Sequence, residues 1–134
     1  MARARIDDAL GTAAVGTVRA IAAGHAAAGD GVALAASVDR TTLALAVRYT
    51  LQLLAEQAPG GTVEVRVPPY AAVQCVEGPK HTRGTPPNVI ETDAATWLAL
   101  AAGDLSWGEA RAAGRVHASG QRADLSEHLP VLGA

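Results

Sequence analysis

Residues Glu91–Gly120, ETDAATWLALAAGDLSWGEARAAGRVHASG, carry the clearest folding signals in the chain. Asp93 has the position of a helix N-cap, because its carboxylate can accept hydrogen bonds from the free backbone N–H groups of a first turn. Gly103 suits the left-handed conformation that ends a helix. Ser106 and Glu109 have the spacing of a capping box, in which each side chain binds the other residue's backbone N–H. The stretch therefore predicts a helix, a tight break and a second, shorter helix.

Segments of alternating apolar and polar residues predict the strands of one small sheet. Thr62–Val67 alternates valines with charged residues, and Tyr70–Val76 has the length and β-branched content of its hairpin partner. Val89–Thr92 and Arg115–Ser119 are two further strands, separated by the predicted helices. Lys80–Asn88 is a polar loop that two prolines stiffen. Together these strands and helices indicate an α+β domain.

The strongest amphipathic helix is predicted at Arg40–Gln57, with Asp39 as its N-cap. Its apolar stripe recurs at helical spacing and consists of Leu43, Val47, Leu51 and Leu54. Arg48, Gln52 and Glu56 share another face, which we expect to be a solvated flank. A stripe of this kind without a Lys/Arg cluster on the polar face is typical of a core helix rather than of a membrane-surface helix.

The N-terminal part of the chain has weaker signals. Apolar residues at helical spacing predict a helix at about Ala4–Ala23, although Gly11 and Gly16 lower its intrinsic stability. The same small residues allow the helix to lie close against a partner. A glycine-containing linker, Gly24–Gly31, follows it. Residues 1–38 are therefore interpreted as a helix and a linker at the start of a single domain, without an assigned role.

The last segment of the chain is predicted to form a short helix. Asp124 would cap it, Leu125 and Leu129 lie one helical turn apart, and Pro130 would end it. The apolar pair Val131–Leu132 is expected to fold back onto the body of the domain.

The composition excludes several classes of function. At 134 residues with a formal net charge of −2, the chain suits one domain with no general attraction to nucleic acid. No stretch is long and apolar enough to span a bilayer. Cys75 is the single cysteine, which excludes an internal disulfide and suits a reducing cytoplasm. His81, His117 and His128 lack metal-binding spacing, and no nucleotide-binding or hydrolase motif occurs, so neither a metal nor a cofactor is expected.

The array D-x-x-x-W-L-x-L-x-x-G-x-L-x-W-x-x-A-x-x-x-G-x-V-x-x-S-G, from Asp93 to Gly120, resembles the sterol carrier protein 2 family. In that family an acidic residue opens a helix, a G-x-L follows it, and an A-x-x-x-G leads into a strand. The preceding stretch, Val65–Asp93, looks like the actinobacterial branch of sterol-carrier-like proteins. The resemblance implies a small mixed sheet of about five strands with helices packed on one face.

The resemblance also implies a non-enzymatic protein that binds or transfers an apolar ligand, a fatty acyl chain or another lipid. The expected site is an interior cavity between the sheet and the helices, where short alanine side chains leave volume unfilled and binding comes from area burial. The candidate ligand-binding residues are Gln74, Cys75, His81, Arg83, Trp97, Leu98, Ala101, Leu105, Trp107 and Leu129. Among them, Gln74 and Arg83 are candidates to orient a polar head group.

The same candidates have ordinary structural interpretations. Trp97 and Trp107 suit core filling, and Cys75 is typical of a small core side chain. His81 and Arg83 would also suit a rigid loop in which they bind the carbonyl groups of their own backbone. No catalytic residue is assigned.

Two other functions stay open. A sterol-carrier-like domain also forms the C-terminal part of the mycothiol-dependent maleylpyruvate isomerase family, to which the chain is distantly similar. The chain lacks that family's metal-binding bundle, so it would act there as a partner subunit that binds a small carboxylate. The other alternative is a homodimerisation module in which the N-terminal helix packs across a two-fold axis.

Overall fold

The computed structural model describes residues 4–25, 38–79 and 88–133, apart from the side chains of residues 24 and 25. The described helices are α1 (Asp8–His25), α2 (Arg40–Gln57), α3 (Ala94–Ala102) and α4 (Trp107–Ala112). The described strands are β1 (Val63–Val67), β2 (Ala71–Cys75), β3 (Asn88–Thr92) and β4 (Val116–Ser119). Because α1 runs to His25, the predicted linker does not begin at Gly24, and the remainder of that prediction lies outside the described residues.

The strands form one mixed sheet in the order β2–β1–β3–β4. β1 is antiparallel to β2 and parallel to β3, and β3 is antiparallel to β4. The hairpin predicted for β1 and β2 is confirmed, with Val65 opposite Val73. The expectation of about five strands is wrong for the described ranges, which contain four. After β4 the chain forms turns at residues 121–122 and 126–128 instead of a further ladder.

The two faces of the sheet differ in polarity because side chains alternate along each strand. On the inner face Val63, Val65 and Val67 are fully buried, as the alternation predicts. On the outer face Glu64 and Arg66 form an ion pair. The helix α2 packs against β2, and its buried leucines share one hydrophobic core with these valines.

Asn88 corrects the bounds of the predicted polar loop, because it is buried at the start of β3. Its Nδ2 donates to the carbonyl oxygen of Thr62 at 2.9 Å, and its Oδ1 accepts from the N–H of Arg122 at 2.9 Å. The side chain thereby joins the start of β1, the start of β3 and the turn after β4. An amide is tolerated in this buried position because its donor and acceptor both have partners.

The helix α2 forms one wall of the core. Asp39 caps it as predicted, accepting a hydrogen bond from the N–H of Thr42 at 3.1 Å. The predicted apolar stripe is buried along its whole length, with relative exposures of 1% or less at Leu43, Val47, Leu51 and Leu54. Burial of each such side chain is worth roughly 2 kcal/mol, so this face of α2 is a main source of stability.

The helix α1 packs along α2 and joins the same core. Its buried residues include Ala14, Val15 and Val18. Gly11 lies against the ring of Tyr49, since a Cβ built on Gly11 would be 2.2 Å from Tyr49 Cγ. The phenol Oη of Tyr49 donates to Asp8 Oδ1 at 2.8 Å. The close approach that the small residues of α1 allow is thus found at Gly11.

Two more side chains of α2 bind the segment that precedes α1. The amide of Gln52 accepts from the N–H of Ile6 at 2.8 Å and donates to its carbonyl at 3.0 Å. Glu56 accepts two hydrogen bonds from Arg5, at 2.6 and 2.9 Å. The prediction of a solvated flank is therefore wrong for Gln52, which is half-buried, whereas it is confirmed for Glu56, which is 43% exposed while it binds Arg5. A helical pattern does not reveal such contacts, because the partners lie 46 and 51 positions away in the chain.

The predicted ends of α3 and α4 are confirmed. Asp93 caps α3 and accepts from the N–H of Thr96 at 2.7 Å, and Gly103 ends the helix with φ 83°. Ser106 and Glu109 form the capping box of α4, with hydrogen bonds of 3.0 and 3.1 Å.

The prediction of a short helix after Asp124 is wrong, because the segment forms a single turn at residues 126–128. Asp124 Oδ1 accepts from the N–H of Ser126 at 2.7 Å, a local turn that competes with the helical conformation. The prediction that Val131 and Leu132 fold back is confirmed. Their N–H groups both donate to the carbonyl of Ala101, at 3.0 and 3.1 Å.

Candidate functional site

An apolar recess of about 530 Å³ lies in a groove between α1 and α3. Its lining residues are Val18, Arg19, Ala20, Ala22, Ala23, Ala95, Leu98, Ala99 and Asp104. We call this recess the α1–α3 groove. It is partly open to solvent, so a guest molecule could enter without unfolding of the core.

Short side chains create the α1–α3 groove. Its walls are mostly alanines, which leave space between two helices that larger side chains would fill. Val18 and Leu98 are 2% and 6% exposed and join the buried core, so they form the floor. The lining is therefore apolar at depth and gives little directional bonding to a guest.

Charged groups occur at the mouth of the α1–α3 groove. The Nη2 atom of Arg19 lies 3.3 and 3.4 Å from the two carboxylate oxygens of Asp104. Both side chains are more than half exposed. Asp104 is held in place because its N–H donates to the carbonyl of Ala99 at 2.9 Å, within the turn that ends α3. An exposed ion pair of this kind contributes little stability, at most about 1 kcal/mol.

A second recess, of about 320 Å³, lies at the β2 edge of the sheet. Its lining residues are Ala4, Ile6, Arg48, Gln52, Tyr70, Ala71, Ala72 and Val73. We call it the β2 crevice. The segment that precedes α1 closes one side of it, because Gln52 holds both backbone groups of Ile6. It is smaller than the α1–α3 groove.

A third recess, of about 460 Å³, is polar and lies where β1 and β3 end. It is lined by Pro68, Glu91, Thr92, Asp93, Gly114, Arg115 and His117. Two of its charged groups have structural tasks, since Asp93 caps α3 and Arg115 Nε donates to Thr96 Oγ1 at 3.2 Å. In the ranges that the structure describes, no group of three or more His, Cys, Asp or Glu residues could hold a metal ion.

Several of the residues predicted to contact a ligand are fully buried in the core. Cys75, Trp97 and Ala101 have no exposed surface. The indole N–H of Trp97 donates to Thr50 Oγ1 at 2.8 Å, which joins α3 to α2. Burial raises the pKa of the Cys75 thiol to about 11, so it is protonated at neutral pH and is not an activated nucleophile.

The other predicted residues are dispersed. Leu98 lines the α1–α3 groove, and it is the only predicted residue among those described that lines any of these recesses. Leu105 and Leu129 are half-buried against the core, and Trp107 is buried with the Arg111 guanidinium 6.0 Å from its ring centroid. Gln74 is exposed on the outer face of the sheet. His81 and Arg83 lie outside the described residues.

Of the three recesses, the β2 crevice lies between the sheet and a helix, since residues of α2 and β2 line it, but it lies at the edge of the sheet and not in the interior. In the interior, Leu51 and Leu54 of α2, Val65 of β1 and Trp97 of α3 belong to one hydrophobic core, and each is fully buried. These side chains from three elements fill the interior, and short alanine side chains leave volume at the α1–α3 boundary. A ligand cavity in the interior between the sheet and the helices stays a prediction.

Sequence reasoning missed Val18, Arg19 and Asp104 as site residues. The signal that could have indicated the groove was the alanine content of both helices. Its walls contain Ala20, Ala22 and Ala23 of α1 and Ala95 and Ala99 of α3. The sequence does not indicate that these residues of α1 lie against α3. The two walls are far apart in the chain, and Arg19 and Asp104, for example, are 85 positions apart.

A family model described as "Bacterial SCP ortholog" matches residues 39–131. The chain belongs to this sterol-carrier-like family. The match covers α2, the sheet, α3 and α4, and it begins after α1. The α1–α3 groove therefore has one wall inside the family match and one wall outside it. Membership of the family suggests a lipid-binding or carrier role. A comparison with curated proteins finds no match.

Within the described ranges, no helix combines the length and the apolar character that crossing a membrane requires. A cytoplasmic location, an actinobacterial origin and a homodimeric state stay predictions.

Proposed function

We propose that the protein binds and carries an apolar ligand, a fatty acyl chain or another lipid, in the α1–α3 groove. The observation that supports this most strongly is an apolar recess of about 530 Å³ in a member of a sterol-carrier-like family. Ligand sites in proteins typically have volumes of about 300–1,000 Å³, so the groove is large enough for most of an extended chain.

The driving force would be burial of the ligand chain. Transfer of each methylene group from water to an apolar site contributes about 0.8 kcal/mol. The alanine walls provide contact area without hydrogen-bonding groups that would reject an apolar guest. Because the groove is partly open, a ligand can enter and leave at the surface, which suits carriage more than permanent storage.

The two alternative functions have less support. Helix α1 packs on α2 of its own chain, whereas the dimerisation hypothesis needs it to pack across a two-fold axis. The hypothesis of an accessory subunit that binds a small carboxylate depends on Arg83, which lies outside the described residues. Both stay predictions.

Native mass spectrometry tests the proposal. The purified protein would be incubated with a mixed long-chain lipid extract and transferred to the gas phase under gentle conditions. We expect a one-to-one adduct with a single-chain lipid. Absence of any adduct, with the protein shown to be folded by circular dichroism, would contradict a carrier function.

A further inference from the structure

We propose that Arg19 is the head-group anchor of the α1–α3 groove and selects long-chain carboxylic acids, with Asp104 as a resident competitor for the same guanidinium. This inference rests on the proposed function. It adds the chemical class of the ligand and the residue that recognises the head group.

The position of Arg19 places a cation where the apolar lining ends. Its neighbour Val18 lies in the floor of the groove, while Arg19 itself is 52% exposed at the mouth. A chain that fills the groove would therefore have its polar end beside the guanidinium. The remaining charged group of the lining is Asp104, which repels an anion unless Arg19 neutralises it.

The contact between Arg19 and Asp104 is loose. Charge-assisted hydrogen bonds are usually about 2.7–2.9 Å long, whereas Nη2 of Arg19 lies at 3.3 and 3.4 Å from the Asp104 oxygens. Only Nη2 is used, and within the described part of the chain the Nε edge of the guanidinium makes no hydrogen bond. A carboxylate that binds this edge forms two parallel hydrogen bonds, one with Nε and one with a terminal nitrogen, so it competes with Asp104 for Nη2.

An exchange of partners follows from this geometry. When the ligand's carboxylate binds Arg19, Asp104 loses its partner but stays solvated, because it is 58% exposed. The exchange replaces one ion pair by another, so its cost in desolvation is small, and solvent around the exposed Asp104 weakens its repulsion of the bound carboxylate. An alcohol of the same chain length would fill the groove equally well and gain nothing from Arg19.

The two residues should therefore affect acid binding in opposite directions. Arg19→Gln removes the anchor and should weaken binding of the acid. Asp104→Asn removes the competing carboxylate and should strengthen it. A purely structural ion pair would give the same sign for both variants, because each breaks the contact between α1 and α3.

The experiment measures dissociation constants of palmitic acid and hexadecanol by displacement of an uncharged fluorescent dye, at neutral pH and below the solubility limits. Arg19→Gln should weaken palmitate binding roughly three- to tenfold, the range for one partly exposed charged contact. Asp104→Asn should strengthen it about twofold or more. Hexadecanol should change little with either variant. Arg122→Gln, an exposed arginine in the turn after β4, is the matched control and should leave both ligands unaffected.

Equal effects of Arg19→Gln on the acid and the alcohol would overturn the inference, as would weaker acid binding by Asp104→Asn. In either case the proposed carrier function would survive, because the alcohol still binds. If neither ligand displaces the dye from the wild-type protein, the inference and the proposed function fail together.

Discussion

The indole Nε1 of Trp97 donates a hydrogen bond to Thr50 Oγ1 at 2.8 Å inside the core. The hydroxyl of Thr50 also lies 2.8 Å from the carbonyl of Ala46 in its own helix. Both residues are fully buried, so this contact fixes α3 against α2 at the level where an interior cavity was expected. Trp97 is thus a structural residue, and the apolar space lies on the other side of α3, toward α1.

Replacement of Thr50 by valine should destabilise the protein by about 1–3 kcal/mol, because it leaves the indole N–H of Trp97 buried without a partner. Valine matches threonine in shape, so packing changes little. The measurement is urea unfolding followed by circular dichroism. Thr17→Val is the control, since Thr17 is exposed on α1 and its hydroxyl donates to the carbonyl of Ala13 in the same helix. Equal stabilities of Thr50→Val and the wild type would show that the buried hydrogen bond is not important.

Two glycines of α1 should respond to alanine with opposite signs. A Cβ at Gly11 would lie 2.2 Å from the Tyr49 ring, so Gly11→Ala should loosen α1 from α2 and lower the melting temperature. A Cβ at Gly16 has no atom of the described residues within 4 Å, so Gly16→Ala should raise stability by up to about 1 kcal/mol through helix propensity. Thermal unfolding of the two variants provides the test. Stabilisation by both would mean that α1 does not pack on Tyr49 as described.

The contacts that hold the start of α1 should depend on pH. The hydrogen bond from Tyr49, followed by that from Arg5, lowers the pKa of Asp8, and the hydrogen bonds from Arg5 lower the pKa of Glu56. Because both pKa values are lower in the folded state, these groups stabilise the fold fully above the ordinary carboxylate range of about 4–4.5. Their contribution is lost as the pH falls through the lowered values.

The matching experiment compares Glu56→Gln with the wild type in urea unfolding from about pH 6 to about pH 3. We expect the wild type to be more stable near pH 6 and the difference to shrink as the pH falls through the lowered pKa of Glu56. Glu127→Gln, at an exposed position in the C-terminal turn, should show no such trend. If the difference in unfolding free energy between the two proteins is constant with pH, the ionised carboxylate of Glu56 does not stabilise the fold through Arg5.

Much of the fold was predictable because its signals are local. The caps at Asp39, Asp93 and Ser106 depend on residues within three positions of each other, and the alternation in β1 needs only its own five residues. The wrong prediction of a helix after Asp124 also came from a local signal. An aspartate side-chain oxygen can accept a hydrogen bond in a local turn as well as at a helix N-cap, and the sequence does not distinguish the two.

The candidate site was mostly not predictable, because its two walls are far apart in the sequence. The prediction correctly attributed unfilled volume to alanine-rich helices. It assigned Trp97 and Cys75 to that volume, whereas their size and burial make them the residues that fill the core. Among the predicted residues described by the structure, Leu98 alone lies where α1 and α3 leave space.

The occupancy of the α1–α3 groove is tested most directly by a pair of bulky substitutions on α3. Ala99 lines the groove and Ala102 does not, although both are half-buried on the same helix. Ala99→Phe should fill the space and weaken binding of hexadecanol by about tenfold or more, a loss of about 1.4 kcal/mol. Ala102→Phe should change binding by less than about twofold. If Ala99→Phe binds hexadecanol as tightly as the wild type, the ligand does not occupy this groove and the account is wrong.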